Sequence, residues 1–219
     1  MEKDWVYMEG EAPYMIAITV LTNLTFFPCI WVLYKQSRHL ECFLGVFTMV
    51  TSFMYHLADS LNQDVFLNEG DWHRLDNVGA ITGFCTLLMY LGGMPRAPHL
   101  MLSYLFLGLN MILQECCAWD ERYTIAPLLT AACVGVIYAV MHPRSDRFRW
   151  TPLKKGLLWL AAAVVCFVKG LDEHQDFLRI WHGLWHLTVG ASGYYMWQTV
   201  PQLGDLDFVG DVASNSKLV

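Results

Sequence analysis

The sequence predicts an all-α, polytopic membrane protein: a seven-transmembrane helix bundle with its N-terminus outside or lumenal and its C-terminus in the cytosol. Three observations predict it. Only 16% of the 219 residues are charged and 55% are hydrophobic, whereas soluble domains carry about 25% charged residues. The apolar residues gather into seven runs, each near the roughly 20 residues that cross a bilayer as a helix. Short polar connectors part the runs, and their Lys and Arg fall unevenly on the two sides.

The first run, 13–34, contains no charged residue. The preceding "MEKDWVYMEGEAP" is acidic and lacks the basic start of a cleaved signal peptide, so this run is read as a retained membrane helix. "KQSRH" leads into the second run, 40–61, and "NQDVFLNEGD" into the third, 72–90. "GGMPRAP" precedes the fourth, 99–117, whose end is interrupted by Asn110, Gln114 and Glu115. "AWDER" precedes the fifth, 124–141; "HPRSDRFRWTP" the sixth, 153–170; and "DEHQD" the seventh, 177–200. Residues 1–12 form a short extracellular segment and 13–200 one membrane domain. The polar, acidic stretch 201–219 is expected to be a disordered cytosolic tail.

Orientation follows from the cations. Loops one-two, three-four and five-six, with the tail, hold nine of the 14 Lys and Arg: Lys35, Arg38, Arg96, Arg144, Arg147, Arg149, Lys154, Lys155 and Lys217. The other side holds Lys3, Arg74, Arg122, Lys169 and Arg179. The richer side faces the cytosol. No basic patch with interleaved aromatics exists, which excludes nucleic acid as the expected partner. Membrane lipid is the expected partner instead, in the plasma membrane or an endomembrane, and a second copy of the chain is a further candidate. The seven cysteines form no CxxC pair. Those in apolar runs (Cys29, Cys42, Cys85, Cys133, Cys166) read as small hydrophobes, and adjacent Cys116 and Cys117 are candidates for acylation or oxidation.

The polar residues inside the runs are more informative. In this topology the second helix runs outward, so Ser52 and His56 of "TSFMYHLADS" lie in its outer half. The third and seventh run inward, which places Asp76 of "HRLDNVG" and both histidines of "IWHGLWHLTVG", His182 and His186, near the same depth. Residues four apart on a helix share a face. His182 and His186 can therefore offer two imidazole nitrogens to one metal ion, and His56 a third. A catalytic zinc has three protein ligands and an open position for water, whose pKa it lowers to about 7. Asp76 then either takes the proton of that water or holds a histidine from behind. Ser52 hydrogen-bonds the water or a substrate oxyanion. The competing reading makes the same histidines hydrogen-bonding glue between helices, or part of an interfacial belt with Trp181 and Trp185. Asp59, one turn from His56, supports a histidine or faces water; His73 is expected in a loop. Asn110 and Glu115 are expected toward the same cavity, and His174 is a minor ligand candidate. The small residues Gly79, Ala80 and Gly83 either make room for an acyl chain or allow close packing. "NLT" at Asn23 matches a glycosylation sequon inside a span and is discounted.

Ser-xxx-His on the second helix, Asp on the third and His-xxx-His on the last of seven resemble the CREST superfamily of alkaline ceramidases, adiponectin receptors and Per-type lipid-anchor-remodelling proteins. "SFMYHLADS", "RLDNVGA" and "IWHGLWHLTVGAS" resemble most the myomaker branch of that group. The chain departs from that branch in having no cysteine after Cys166. The resemblance implies that His56, His182 and His186 ligate zinc, with Ser52 and Asp76 completing the site. It implies a zinc-dependent hydrolase acting on an amide or ester bond of a membrane lipid or lipid anchor. Its alternative implication is a non-enzymatic protein of cell–cell fusion, in which zinc pins three helices together and Asp76 closes the coordination shell. A receptor role rests on the adiponectin-receptor kinship alone.

Overall fold

The computed structural model describes residues 11–118, 120–143, 147–172 and 176–200. The expectations for residues 1–10, for the tail 201–219 and for His174 lie outside the described residues. Among the described residues the chain is helical, with no strand and a single bridge between Val65 and Leu67. Seven helical segments follow in order: α1 (Ala12–Lys35), α2 (His39–Leu61), α3 (Glu69–Leu91), α4 (Arg96–Cys117), α5 (Glu121–Met141), α6 (Trp150–Gly170) and α7 (Ile180–Met196). Five of them, α1, α2, α4, α5 and α6, are long and apolar enough to cross a membrane, as fits an integral multi-pass membrane protein. α3 opens on Glu69, Asp71, Arg74 and Asp76, and α7 has only 17 residues.

Several helices begin earlier than the apolar runs, because a helix needs a polar cap that hydropathy does not count. Asn68 accepts from the Asp71 amide at 2.9 Å and starts α3 three residues before the run. Asp120 accepts from the Arg122 amide and starts α5. At its far end α2 stops on Asn62, whose left-handed conformation (φ 48°) turns the chain into the loop. α7 begins later than its run, since Phe177–Arg179 forms a 3-10 turn in which Leu178 and Arg179 are left-handed.

α1 is irregular, and its sequence says why. Pro28 has no N–H to give the carbonyl of Leu24; that carbonyl accepts from Phe27 instead, three residues on, and Leu21–Phe26 tightens to a 3-10 helix. Just before it, Ile16–Val20 widens to a π turn, with the Leu21 amide reaching Ile16 five residues back. Side chains cover the carbonyls of this stretch: Thr19 donates to Met15, and Asn23 to Thr19. Asn23 is fully buried there, consistent with discounting the sequon.

α3 is the central element, packed against α2, α4 and α5. Ile81, Cys85 and Met89 form one core with Phe106 and Ala131. Tyr90 joins Cys29, Leu33, Trp197 and Val200 in another. α6 and α7 pair along their length, and the middle of α1 packs on both α2 and α7. α4, α5 and α6 turn large apolar residues outward, among them Ile112, Val140, Leu158 and Val168. These apolar outer faces fit contact with a bilayer, whereas α3 is packed among α2, α4 and α5. The polar end of α4 is a continuous helix: Asn110 donates to Thr82 at 3.0 Å, and Asn77 to Gln114 at 3.1 Å. Cys133 is exposed rather than buried, because it faces outward from α5.

At the end of the bundle where α2 begins, Glu41 is buried and accepts from Arg38 at 2.9 Å and Arg96 at 3.2 Å. The Arg38 guanidinium lies 4.2 Å from the Tyr90 ring centroid, and the Tyr90 hydroxyl holds the carbonyls of Trp197 and Val200. This cluster ties α2 and α4 to the residues that follow α7.

Helix crossings depend on glycine at two kinds of place. A Cβ on Gly135 of α5 would lie 2.7 Å from the Leu88 carbonyl oxygen of α3, and one on Gly79 would meet Thr48 of α2. Gly79 thus serves close packing, while a Cβ on Gly83 meets nothing within 4 Å. Gly108 of α4 is also open. Gly135→Ala is expected to destabilise the protein by about 1–3 kcal/mol, the usual cost of overpacking. Gly108→Ala is expected to leave stability equal or raise it by up to about 1 kcal/mol. Thermal melts in detergent check both, and equal melting for the two variants would refute the close crossing.

Candidate metal centre

α2 runs toward one end of the bundle, and α3 and α7 start there. His56 sits one and a half turns before the end of α2, and His182 and His186 occupy the first two turns of α7. The four-residue spacing puts both α7 histidines on one face, and the packing of α2 and α7 on α1 brings that face to His56. The three rings form a near-equilateral triangle, with centroids 4.7 Å (56–182), 5.0 Å (56–186) and 4.8 Å (182–186) apart. One ligating nitrogen from each lies within 4.8 Å of the others, and His56 and His186 are buried.

This buried triple-histidine group can hold a metal ion. Nε2 of His56 and Nε2 of His182 stand 3.1 Å apart. Two nitrogens bound at 2.0–2.1 Å to a tetrahedral zinc would stand about 3.3 Å apart, so the pair has nearly the required spacing. Neutral imidazole is the ligating form. Nδ1 of His186 is 3.0 Å from the Thr22 hydroxyl oxygen.

The other expected site residues divide. Ser52 is buried one turn before His56, and Asp76 lies on α3, which packs along α2. Asp76 is half-buried and lies outside the tight group of three ligating side chains. Asp59 is buried. His73 lies within α3, not in a loop, with its ring 4.8 Å from that of Tyr55, because the Asn68 cap extends the helix over it. Asn110 bonds within the α3–α4 interface, and Glu115 pairs with Arg74 at the surface. Trp185 packs between Phe84 and Phe167, so it joins α3 to α6 rather than forming a belt.

Two contributors escaped the sequence reading. Thr19, Thr22 and Thr25 of α1 recur every third residue in an otherwise apolar run, and that spacing was the available signal. Asp176 accepts from the amides of Trp181 and His182 at 2.8 and 3.0 Å, holding the start of α7. It lies five residues before the first amide it binds, across the left-handed turn, so no ordinary capping pattern marks it.

The family described as "Protein of unknown function (DUF3522)" matches residues 11–187. That match takes in most of the chain, including both α2 and the α7 histidines, and the chain belongs to this family. Comparison with curated proteins gives no match.

Asp176→Ala is expected to cost about 1–2 kcal/mol, the usual loss when a helix start loses its side-chain acceptor, with Asp176→Asn retaining most of the stability. Melting of the three proteins in the same detergent checks this; an unaltered Asp176→Ala protein would show that the turn needs no acceptor.

Proposed function

We propose that this chain is a seven-span membrane protein whose His56, His182 and His186 hold zinc, and that it hydrolyses an amide or ester bond of a membrane lipid or lipid anchor. The convergence of three imidazoles from two helices, with Ser52 buried one turn before His56, carries this reading. It agrees with the resemblance to the CREST superfamily and its myomaker branch, which is part of the proposal. In this reading α3 and α7 also cross the bilayer, shielded by the apolar helices around them. The cation distribution puts the triad in the outer half, within reach of the outer leaflet.

Zinc at this position supplies Lewis acidity and a water of lowered pKa. The chain's own residues do the rest. The Asp76 carboxylate, half-buried, accepts and returns a proton. The Ser52 hydroxyl, buried one turn before His56, donates its one proton toward a developing oxyanion. The apolar walls give an acyl chain a lipid-like surface. Three convergent ligands leave a coordination position for water or substrate, whereas a purely structural zinc takes four protein ligands. That difference favours hydrolysis over the fusion-protein reading.

Purified without chelator, the wild type is expected to carry about one zinc per chain by plasma mass spectrometry. His182→Ala is expected to carry little. Asp76→Asn and Ser52→Ala are expected to keep their zinc and lose about 100-fold or more of lipid hydrolysis. A metal-free wild type would make the histidines hydrogen-bonding glue. Zinc lost from Asp76→Asn would make Asp76 a fourth ligand and the zinc structural.

A further inference from the structure

α1 contributes none of the three histidines, yet it touches both the ring and the backbone carbonyl of His186. A Cβ on Gly183 would lie 2.5 Å from the Ile18 carbonyl oxygen, and one on Gly190 would lie 2.9 Å from that of Thr25. Between these two crossings, one helical turn to either side, sits His186. Thr25 donates to the Thr22 carbonyl at 2.7 Å and approaches the His186 carbonyl at 3.0 Å. Thr22 Oγ1 lies 3.0 Å from His186 Nδ1.

The direction of that last bond can be worked out. A threonine hydroxyl has one proton. Thr22 Oγ1 stands 2.6 Å from the Ile18 carbonyl and 3.2 Å from that of Thr19. Carbonyls only accept, so the hydroxyl proton is committed to them. Toward His186 the oxygen has only lone pairs to offer, and Nδ1 must bring the hydrogen. A neutral imidazole protonated at Nδ1 has its lone pair at Nε2. Metal-ligating histidines commonly have their tautomer set in this way by an acceptor behind them.

The irregular shape of α1 serves this contact. The π turn at Ile16–Val20 and the 3-10 turn at Leu21–Phe26 meet immediately before Thr22. Such interruptions leave carbonyls in need of a donor and are frequent at functional sites.

We infer that Thr22 is a positioning residue for the metal centre: it accepts the Nδ1–H of His186 and so keeps Nε2 free and aimed at the ion. The inference rests on the reading that the triad holds zinc, and the experiment separates the two. Wild type, Thr22→Val and Thr22→Ser are compared by zinc competition against a fluorescent chelator. Nitrogen NMR of the zinc-free, histidine-labelled wild type, with His186→Gln identifying its signals, reports the tautomer. The wild type is expected to show His186 protonated at Nδ1. Thr22→Val, which keeps the shape and loses the acceptor, is expected to bind zinc about 10- to 100-fold more weakly. Thr22→Ser is expected to bind within a few-fold of wild type, and that rescue distinguishes the hydroxyl from mere packing. Unchanged affinity in Thr22→Val, or a wild-type His186 protonated at Nε2, would overturn the inference while leaving a zinc site intact. A wild type without zinc would overturn the metal reading, and the tautomer would still decide the role of Thr22. Should Thr22→Val not fold, the wild-type tautomer gives the same decision.

Discussion

The close approach of α1 to α7 at Gly183 and Gly190 is the contact on which the candidate centre depends. Neither position has room for a Cβ against the α1 backbone. Helices in a bilayer gain little from the hydrophobic effect between them, so small residues that let backbones touch carry the association. Here the approach is close enough for threonine side chains of α1 to bond both the ring and the carbonyl of His186. It also lets α2, which packs on α1 as well, present His56 at 3.1 Å from His182. A wider crossing would leave three separate histidines on two helices.

Polar groups elsewhere obey the same constraint, that a group away from water must find its partner inside the protein. α3 is surrounded by α2, α4 and α5 and shares with α4 the hydrogen bonds from Asn77 to Gln114 and from Asn110 to Thr82. The outer helices α4, α5 and α6 expose apolar side chains instead. Polar chemistry accordingly collects at two places along α2. His56 belongs to one end, and Glu41, with Arg38 and Arg96, to the other, about 22 Å away along the helix at 1.5 Å per residue. The Glu41 cluster holds helix ends together, and every charged group in it has a partner of opposite sign or an aromatic face. The histidine end differs in kind: it gathers three like groups, an arrangement that can hold a metal ion.

Much of this was legible in the chain itself. Apolar runs located all seven helical segments, five of which are long and apolar enough to cross a membrane. The i, i+4 spacing put His182 and His186 on one face, and Ser52 with His56, because helical periodicity is local. The depth argument brought α2 and α7 together before any packing was known. What was misjudged has a local cause too: His73 fell in a helix because Asn68 caps it from outside the apolar run, and α7 starts late because two residues turn left-handed.

The sequence by itself determined the helical, membrane-embedded class and the choice of His56, His182 and His186 as ligand candidates, because composition and periodicity are properties of neighbouring residues. Only the tertiary structure decided that α1 belongs to the site, that Asp176 holds the start of α7, and that Asp76 lies outside the tight group of three histidines. Those facts depend on which helix faces lie against each other, at ångström precision. That is set by glycine-sized gaps and by the π and 3-10 turns of α1, distances between residues as much as 164 positions apart, which no pattern along the chain encodes.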